Sequence, residues 1–149
     1  MNVEVKKGTF VEISIFIRPH IKECLKRLKE HYEIVLFTAS YKGYADAILN
    51  HIDPDNQLFD YRLYRDHCIQ FYNNAFLVKD LRIIRNRDLK DIVLVDNSAI
   101  SFLPQLENGV PILPFYDHED DDVEFLDLTR YLMSIKDKDD LRICNKQTF

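Results

Sequence analysis

Asp91-Ile-Val-Leu-Val-Asp-Asn-Ser98 sets four uninterrupted apolar residues in front of the adjacent pair Asp96 and Asn97. A run of β-branched and Leu residues without alternation reads as a strand buried on both faces, as in a parallel sheet covered by helices. Asp96 and Asn97 then stand at the strand's carboxyl end, where open α/β sheets place their ligands, and their oxygens suit a hard cation such as Mg²⁺. Glu33-Ile-Val-Leu-Phe-Thr-Ala-Ser40 repeats the grammar, four apolar residues followed by hydroxyls that can hold a phosphate oxygen. The remaining chain is expected to bring these two strand ends together.

At 149 residues, 46 % hydrophobic and 30 % charged, the sequence has the size and composition of one globular domain. A formal charge of −5 argues against general nucleic-acid binding and leaves room for a local basic patch facing an acidic or phosphorylated partner. Cys24, Cys68 and Cys144 are odd in number and far apart, with neither metal spacing nor a disulfide framework, so a reducing nuclear or cytoplasmic setting is expected. No apolar run approaches the roughly 18 residues of a membrane span, and Met1-Asn-Val-Glu-Val-Lys-Lys has no signal-peptide hydrophobic region.

Residues 3–5 and 11–17 flank Lys6-Lys-Gly-Thr9 and read as a hairpin turning at Gly8. Arg18-Pro19 opens a helix with Pro in its first turn, Ile21, Leu25 and Leu28 forming its apolar face. After Ser40, read as an N-cap, Tyr44, Ile48, Leu49 and Ile52 share one side of a second helix that Asp53-Pro-Asp-Asn56 breaks. Phe59, Tyr61 and Leu63 alternate as a half-exposed strand, and a second hairpin turns at Asn73-Asn74. Arg82, Arg85, Arg87 and Lys90 read as a solvated helix face, with a docking surface as the alternative. Pro104 and Gly109 punctuate a loop, Pro111-Ile-Leu-Pro114 gives a short strand, and the acidic run from Asp117 to Asp122 caps a helix with the stripe Phe125, Leu128, Leu132 and Ile135. The tail from Lys136 reads as polar and surface-lying. His20 and His67 read as turn or core residues. The alternation predicts an α/β parallel sheet with a small β-hairpin insertion.

Ile17-Arg-Pro-His20, Val35-Leu-Phe-Thr-Ala-Ser40, Tyr44-Ala-Asp46, Tyr64-Arg-Asp-His-Cys68, Val78-Lys-Asp-Leu81, Val93-Leu-Val-Asp-Asn-Ser98 and Asn108-Gly-Val-Pro-Ile112 follow one another in a register that closely resembles the small C-terminal-domain phosphatases. These belong with Dullard-type and NLI-interacting-factor-like proteins in the haloacid dehalogenase superfamily. The resemblance implies a Mg²⁺-dependent phosphatase acting on a phosphoserine or phosphothreonine protein through an aspartyl-phosphate, which splits one hard hydrolysis into two easier steps. It further implies that Thr38 bonds a phosphoryl oxygen, Lys79 neutralises the phosphate, Asn97 ligates Mg²⁺ with Asp96 beside it, and Arg65 sits near the substrate phosphate.

The family's nucleophile motif, Asp-x-Asp-x-(Thr/Val) on an apolar strand ahead of the first hairpin, has no counterpart in this sequence. The triplets at Asp53, Asp120 and Asp137 read as loops and helix caps. The stretch Gln70-Phe-Tyr-Asn-Asn-Ala-Phe-Leu77 also departs from the family, which shows a His and a Gly there. The sequence is therefore expected to be a single phosphatase-like domain over 1–149, N-terminally incomplete and without its first, nucleophile strand. Three alternatives stand: a fragment, a strand borrowed from a partner through self-association or otherwise, or residues 11–17 re-used to fill the centre. A non-catalytic pseudophosphatase or protein-binding module is the competing functional reading.

Overall fold

Each apolar run forms one strand of a short parallel pair, and the two pairs stand apart. The computed structural model describes residues 2–6, 8–12, 14–73, 75–116 and 121–149. β1 (Asn2–Lys6) pairs antiparallel with β2 (Thr9–Glu12) around Gly8, whose φ of 79° is a left-handed conformation that glycine adopts without strain. Then come α1 (Ile21–Lys29), β3 (Val35–Phe37), α2 (Lys42–Ile52), β4 (Tyr61–Leu63), the hairpin of β5 (Ile69–Phe71) and β6 (Phe76–Val78), β7 (Leu94–Asp96), β8 (Gly109–Pro111), α3 (Glu124–Ile135) and α4 (Leu141–Thr148). β3 runs parallel to β4, and β7 runs parallel to β8.

β7 is covered on both faces, as its unbroken apolar run requires. Val93 and Val95 pack on a core of Leu28, Val110, Leu128, Leu132, Ile135 and Leu141, whereas Leu94 turns the other way to Leu81 and Phe102. This is the alternation of a strand between two layers.

β3 and β7 form no ladder with each other. In a parallel ladder, successive residues turn their peptide groups to opposite sides. Ile34 C=O accepts from Asp60 N at 2.8 Å and Thr38 N donates to Leu63 O at 2.9 Å, so the even-numbered peptide groups of β3 serve β4. Those of Val35 and Phe37 face away from it. In β7, Asp96 C=O accepts from Ile112 N at 3.2 Å, which turns the peptide groups of Val93 and Val95 away from β8. Between these two edges lies a cleft of about 780 Å³, lined by residues 33–38, 93–97 and 15–18 and by apolar side chains of α1, α2 and α3.

The structure corrects several sequence expectations. Residues 11–17 do not fill the centre: β2 ends at Glu12, and residues 15–18 run along the cleft wall outside any ladder, Ile13 lying outside the described residues. Pro19 precedes α1, whose N-cap is His20 with φ 61°. Tyr41 rather than Ser40 caps α2, because Ser40 spends its backbone on Thr38 and Arg65. The second hairpin turns at Tyr72 and Asn73, with φ 51° and 52°; Asn74 lies outside the described residues. The basic segment makes short 3₁₀ turns, with Arg82 paired to Asp80 and Arg87 to Glu33, not a helix face. Residues 99–108 are 3₁₀ in character with Pro104 inside, and β8 begins at Gly109, two residues before the strand expected from Pro111. Of the acidic run, residues 117–120 lie outside the described residues, while Asp122 accepts from Glu124 N at 3.2 Å ahead of α3. The tail is not surface-lying throughout, since Leu141 and Asn145 of α4 are buried and Asn145 donates to Glu107 O at 2.9 Å.

Gly109 tests this packing. A Cβ there would stand 2.6 Å from Phe102 Cγ, and the buried ring has no free end to move. Gly109→Ala is expected to lower the urea midpoint by the equivalent of about 1–3 kcal/mol of overpacking; an unchanged midpoint would place Phe102 elsewhere.

Candidate active site

The site is built where β6 leaves the hairpin and meets the end of β7. Val78 is buried, so the next residue, Lys79, enters from a fixed point. Lys79 N donates to Ser101 O at 2.8 Å. Asp80 accepts from Arg82 N at 3.0 Å and from Gln105 Nε2 at 2.9 Å, while Gln105 Oε1 accepts from Leu81 N at 3.0 Å. The Arg82 guanidinium beside Asp80 holds that carboxyl down at about 2. This clamp aims the Lys79 ammonium at Asp96 Oδ2, with only 10 % and 8 % of the two side chains exposed. Lys79 Nζ also lies 5.8 Å from the centre of the Phe37 ring, a cation–π approach from β3. The other Asp96 oxygen, Oδ1, accepts from Ser98 N at 2.8 Å.

Thr38 ends β3 on the same side. Its Oγ1 accepts from Ser40 N at 3.1 Å, which leaves the hydroxyl hydrogen to donate to a ligand oxygen. Arg65, just beyond β4, is tied back to the same turn: its N donates to Ser40 O at 3.0 Å and its Nη1 to Ala39 O at 3.2 Å, and the guanidinium lies 5.1 Å over the Tyr41 ring. Tyr64, preceding it, donates to Asp46 Oδ1 at 2.7 Å, so α2 anchors the end of β4. Asn97 is exposed at the tip of β7.

Lys79 and Asp96 are thus in contact, Thr38 and Arg65 share one turn at the adjoining strand end, and Asn97 opens to solvent beside them. Sequence reasoning missed Cys68, whose Sγ lies 3.8 Å from Thr38 O. Burial pushes that thiol up, against the pull of Lys79 and Arg65. It also missed the Asp80–Gln105 clamp and the Phe37 ring; the apolar run before Thr38 was the only signal for the latter.

The Lys79–Asp96 pair is expected to behave as a buried one. Lys79→Met leaves Asp96 uncompensated and should cost about 3–5 kcal/mol, whereas Lys79→Met with Asp96→Leu should recover most of it. Urea unfolding checks this, and a single-variant loss under about 1 kcal/mol, the worth of an exposed pair, would contradict it.

The model of the NLI interacting factor-like phosphatase family matches residues 1–142. The chain is 42 % identical over 125 residues to CTD small phosphatase-like protein 2 of Dictyostelium discoideum, spanning 84 % of this chain and 21 % of that protein. It is 35 % identical over 144 residues to the CTD small phosphatase-like protein of Homo sapiens, spanning 93 % of this chain and 50 % of that protein. The chain therefore spans half or less of the length of these relatives. Its fold is similar to that of the fission yeast RNA polymerase II CTD phosphatase Fcp1 bound to beryllium fluoride, with a TM-score of 0.58 at 19 % identity, over 92 % of this chain and 42 % of that one. That likeness lies in the arrangement of helices and small sheets. From the family match across nearly its whole length and the strand-end geometry that goes with it, the chain belongs to the NLI interacting factor-like phosphatase family.

Proposed function

We propose that this chain forms the greater part of a protein phosphoserine/phosphothreonine phosphatase domain of the C-terminal-domain type, acting on a phosphoprotein in a nuclear or cytoplasmic setting. The convergence of Thr38, Lys79 and Asp96 at the carboxyl ends of β3 and β7 carries this reading. Phosphoryl transfer is catalysed chiefly by positioning and by stabilising charge. The Thr38 O–H would donate to a phosphoryl oxygen, Lys79 would set positive charge against the phosphate, and Arg65 at the rim would meet the incoming phosphoresidue.

Asn97 and Asp96 fit Mg²⁺ as part of its shell, since that ion takes one or two protein oxygens and keeps waters and substrate oxygens for the rest. Among the described residues no group of three or more His, Cys, Asp or Glu is placed to hold a metal ion, so Asp96 and Asn97 would supply only part of the shell. When bound, the ion would neutralise charge developing on the transferred phosphoryl group. Asp96 itself is held by Lys79 and Ser98 and is not the nucleophile. The reading assigns that carboxylate to a strand in the cleft between β3 and β7, and the 149 residues without it are inactive.

One observation favours the second reading, a non-catalytic binding module. Lys79 is already neutralised by a buried Asp96, which leaves little positive field for a phosphate.

With Mg²⁺ present, the chain alone should release no phosphate from a phosphoserine peptide above background. Fusing an apolar strand that ends in Asp-x-Asp-x-Thr ahead of Met1 should produce turnover. Lys79→Met in that fusion, assayed where circular dichroism shows it native, should lower kcat/KM about a hundredfold or more, Thr38→Val somewhat less, and Arg87→Ala hardly at all. A fusion that folds and binds Mg²⁺ yet stays inert on every phosphopeptide would leave the binding module as the better reading.

A further inference from the structure

The geometry points to His67 as a positioning residue: its neutral imidazole closes the turn that aims Arg65, and taking up a proton opens that turn. The inference rests on the phosphatase reading in so far as Arg65 meets a phosphate, but the turn itself is measured apart from any catalysis.

The pairing of β3 with β4 leaves one peptide group without a backbone partner. Leu63 O accepts from Thr38 N at 2.9 Å and Arg65 N donates to Ser40 O at 3.0 Å, so the Tyr64 N–H between them turns to the opposite side. Tyr64 is buried, where an N–H without an acceptor is costly. His67 Nδ1 supplies that acceptor at 3.0 Å. In return His67 N donates to Tyr64 O at 2.8 Å, and Cys68 N donates to Arg65 O at 3.0 Å. These bonds close one 3₁₀ turn, Arg65–His67, around the Arg65 backbone, with the third residue's side chain reaching back to the capping N–H as in a capping box.

Arg65 depends on that turn because its side chain is held from one side only. Its Nη1 donates to Ala39 O at 3.2 Å and its guanidinium lies 5.1 Å over the Tyr41 ring, both on the segment that follows β3. Its Nε and Nη2 donors take no partner among the described residues and remain for a ligand oxygen. Recognition of a phosphate by a planar fork requires one orientation of the guanidinium. Displacing the turn moves the Cα from which that orientation is reached.

An imidazole accepts at Nδ1 only while neutral, with its one proton on Nε2. A second proton would set two donors, Nδ1–H and the Tyr64 N–H, against each other. No carboxylate pairs with His67 among the described residues to offset that loss. The charged groups around the turn are Arg65 and Asp66 on it, and Lys42, Asp46 and Arg62 around the Tyr64 hydroxyl. Lys79 and Asp96 lie beyond them and act on the neighbouring Cys68. The Tyr64 ring stands 6.3 Å from the imidazole and carries Lys42 Nζ at 4.8 Å, so the aromatic neighbour brings a cation and not an anion. The turn is therefore closed while His67 is neutral and opens as falling pH protonates it.

The test compares the whole chain with its His67→Gln and His67→Ala variants at about pH 8 and about pH 5, the window in which histidine changes charge. Gln keeps a neutral acceptor of the kind that closes a capping box, whereas Ala has none. His67 is exposed, so neither replacement empties the core. The Arg65 δ-methylene protons, read by NMR through their ring-current shift and their NOE to Tyr41, report the aim of the guanidinium in the free chain. That contact is expected at both pH values in His67→Gln, at neither in His67→Ala, and at about pH 8 alone in the unsubstituted chain. Acidification should then weaken binding of the peptide Gly-Gly-phosphoserine-Gly-Gly about fivefold more in the unsubstituted chain than in His67→Gln, protonation of the phosphate being common to both. An Arg65–Tyr41 contact that persists in His67→Ala, or that is lost from His67→Gln as well, would overturn the proposal. So would tighter binding by the unsubstituted chain than by His67→Gln at about pH 5, the sign of a mere added positive charge. The expected contact pattern without any peptide binding would keep His67 in its role and remove the phosphate from that of Arg65. Peptide binding with a contact indifferent to His67 would do the reverse.

Discussion

The buried ion pair between Lys79 and Asp96 ties the inserted hairpin to the parallel strands, and the site's geometry depends on it. Lys79 leaves β6 through a backbone bond to Ser101, while Asp96 closes β7, so the pair joins two elements that share no ladder. Neither charge is at home in an apolar wall without the other. The same ammonium approaches Phe37, which draws the end of β3, and with it Thr38, into the neighbourhood. One cation thereby gathers three strand ends, and the Asp80 clamp keeps it from swinging out to water.

Beyond that pair, the architecture is two half-sheets held by helices rather than by each other. β3 leans on β4 and is anchored through Asp46 and Tyr64, whereas β7 and β8 share a core with α1, α3 and α4. Helix packing holds the two halves in place but offers the inner edges no hydrogen bonds. Unpaired peptide groups against apolar side chains are costly when water is excluded and adhesive when it is not.

Much of this was legible in the sequence because it depends on local pattern. The unbroken apolar runs before Thr38 and Asp96 give buried strands whatever lies around them, and the hydroxyl, amide and carboxylate that follow must then stand at strand ends. Lys79 drew notice only through the family resemblance; by itself it reads as a solvated lysine, yet it is buried against Asp96. The failures share a cause in tertiary contact. Pro111-Ile-Leu-Pro114 has the apolar look of a strand, yet the strand is Gly109–Pro111, whose three residues pair with β7 while the Phe102 ring packs over Gly109. α4 was hidden because Asp137, Lys138, Asp139 and Asp140 mask the single buried face carried by Leu141 and Asn145. The Gln105 clamp on Asp80 spans 25 positions, and nothing local announces it.

Amide hydrogen exchange on the free chain, residue by residue, reports directly whether the inner edges of β3 and β7 are unpaired. If they are, the N–H groups of Val35, Phe37, Val93 and Val95 exchange about tenfold or more faster than those of Leu36, Thr38 and Asp96 on the same strands, which the ladders to β4 and β8 protect. Equal protection of the two sets would mean that β3 and β7 are already bridged, and the open cleft would not exist in solution.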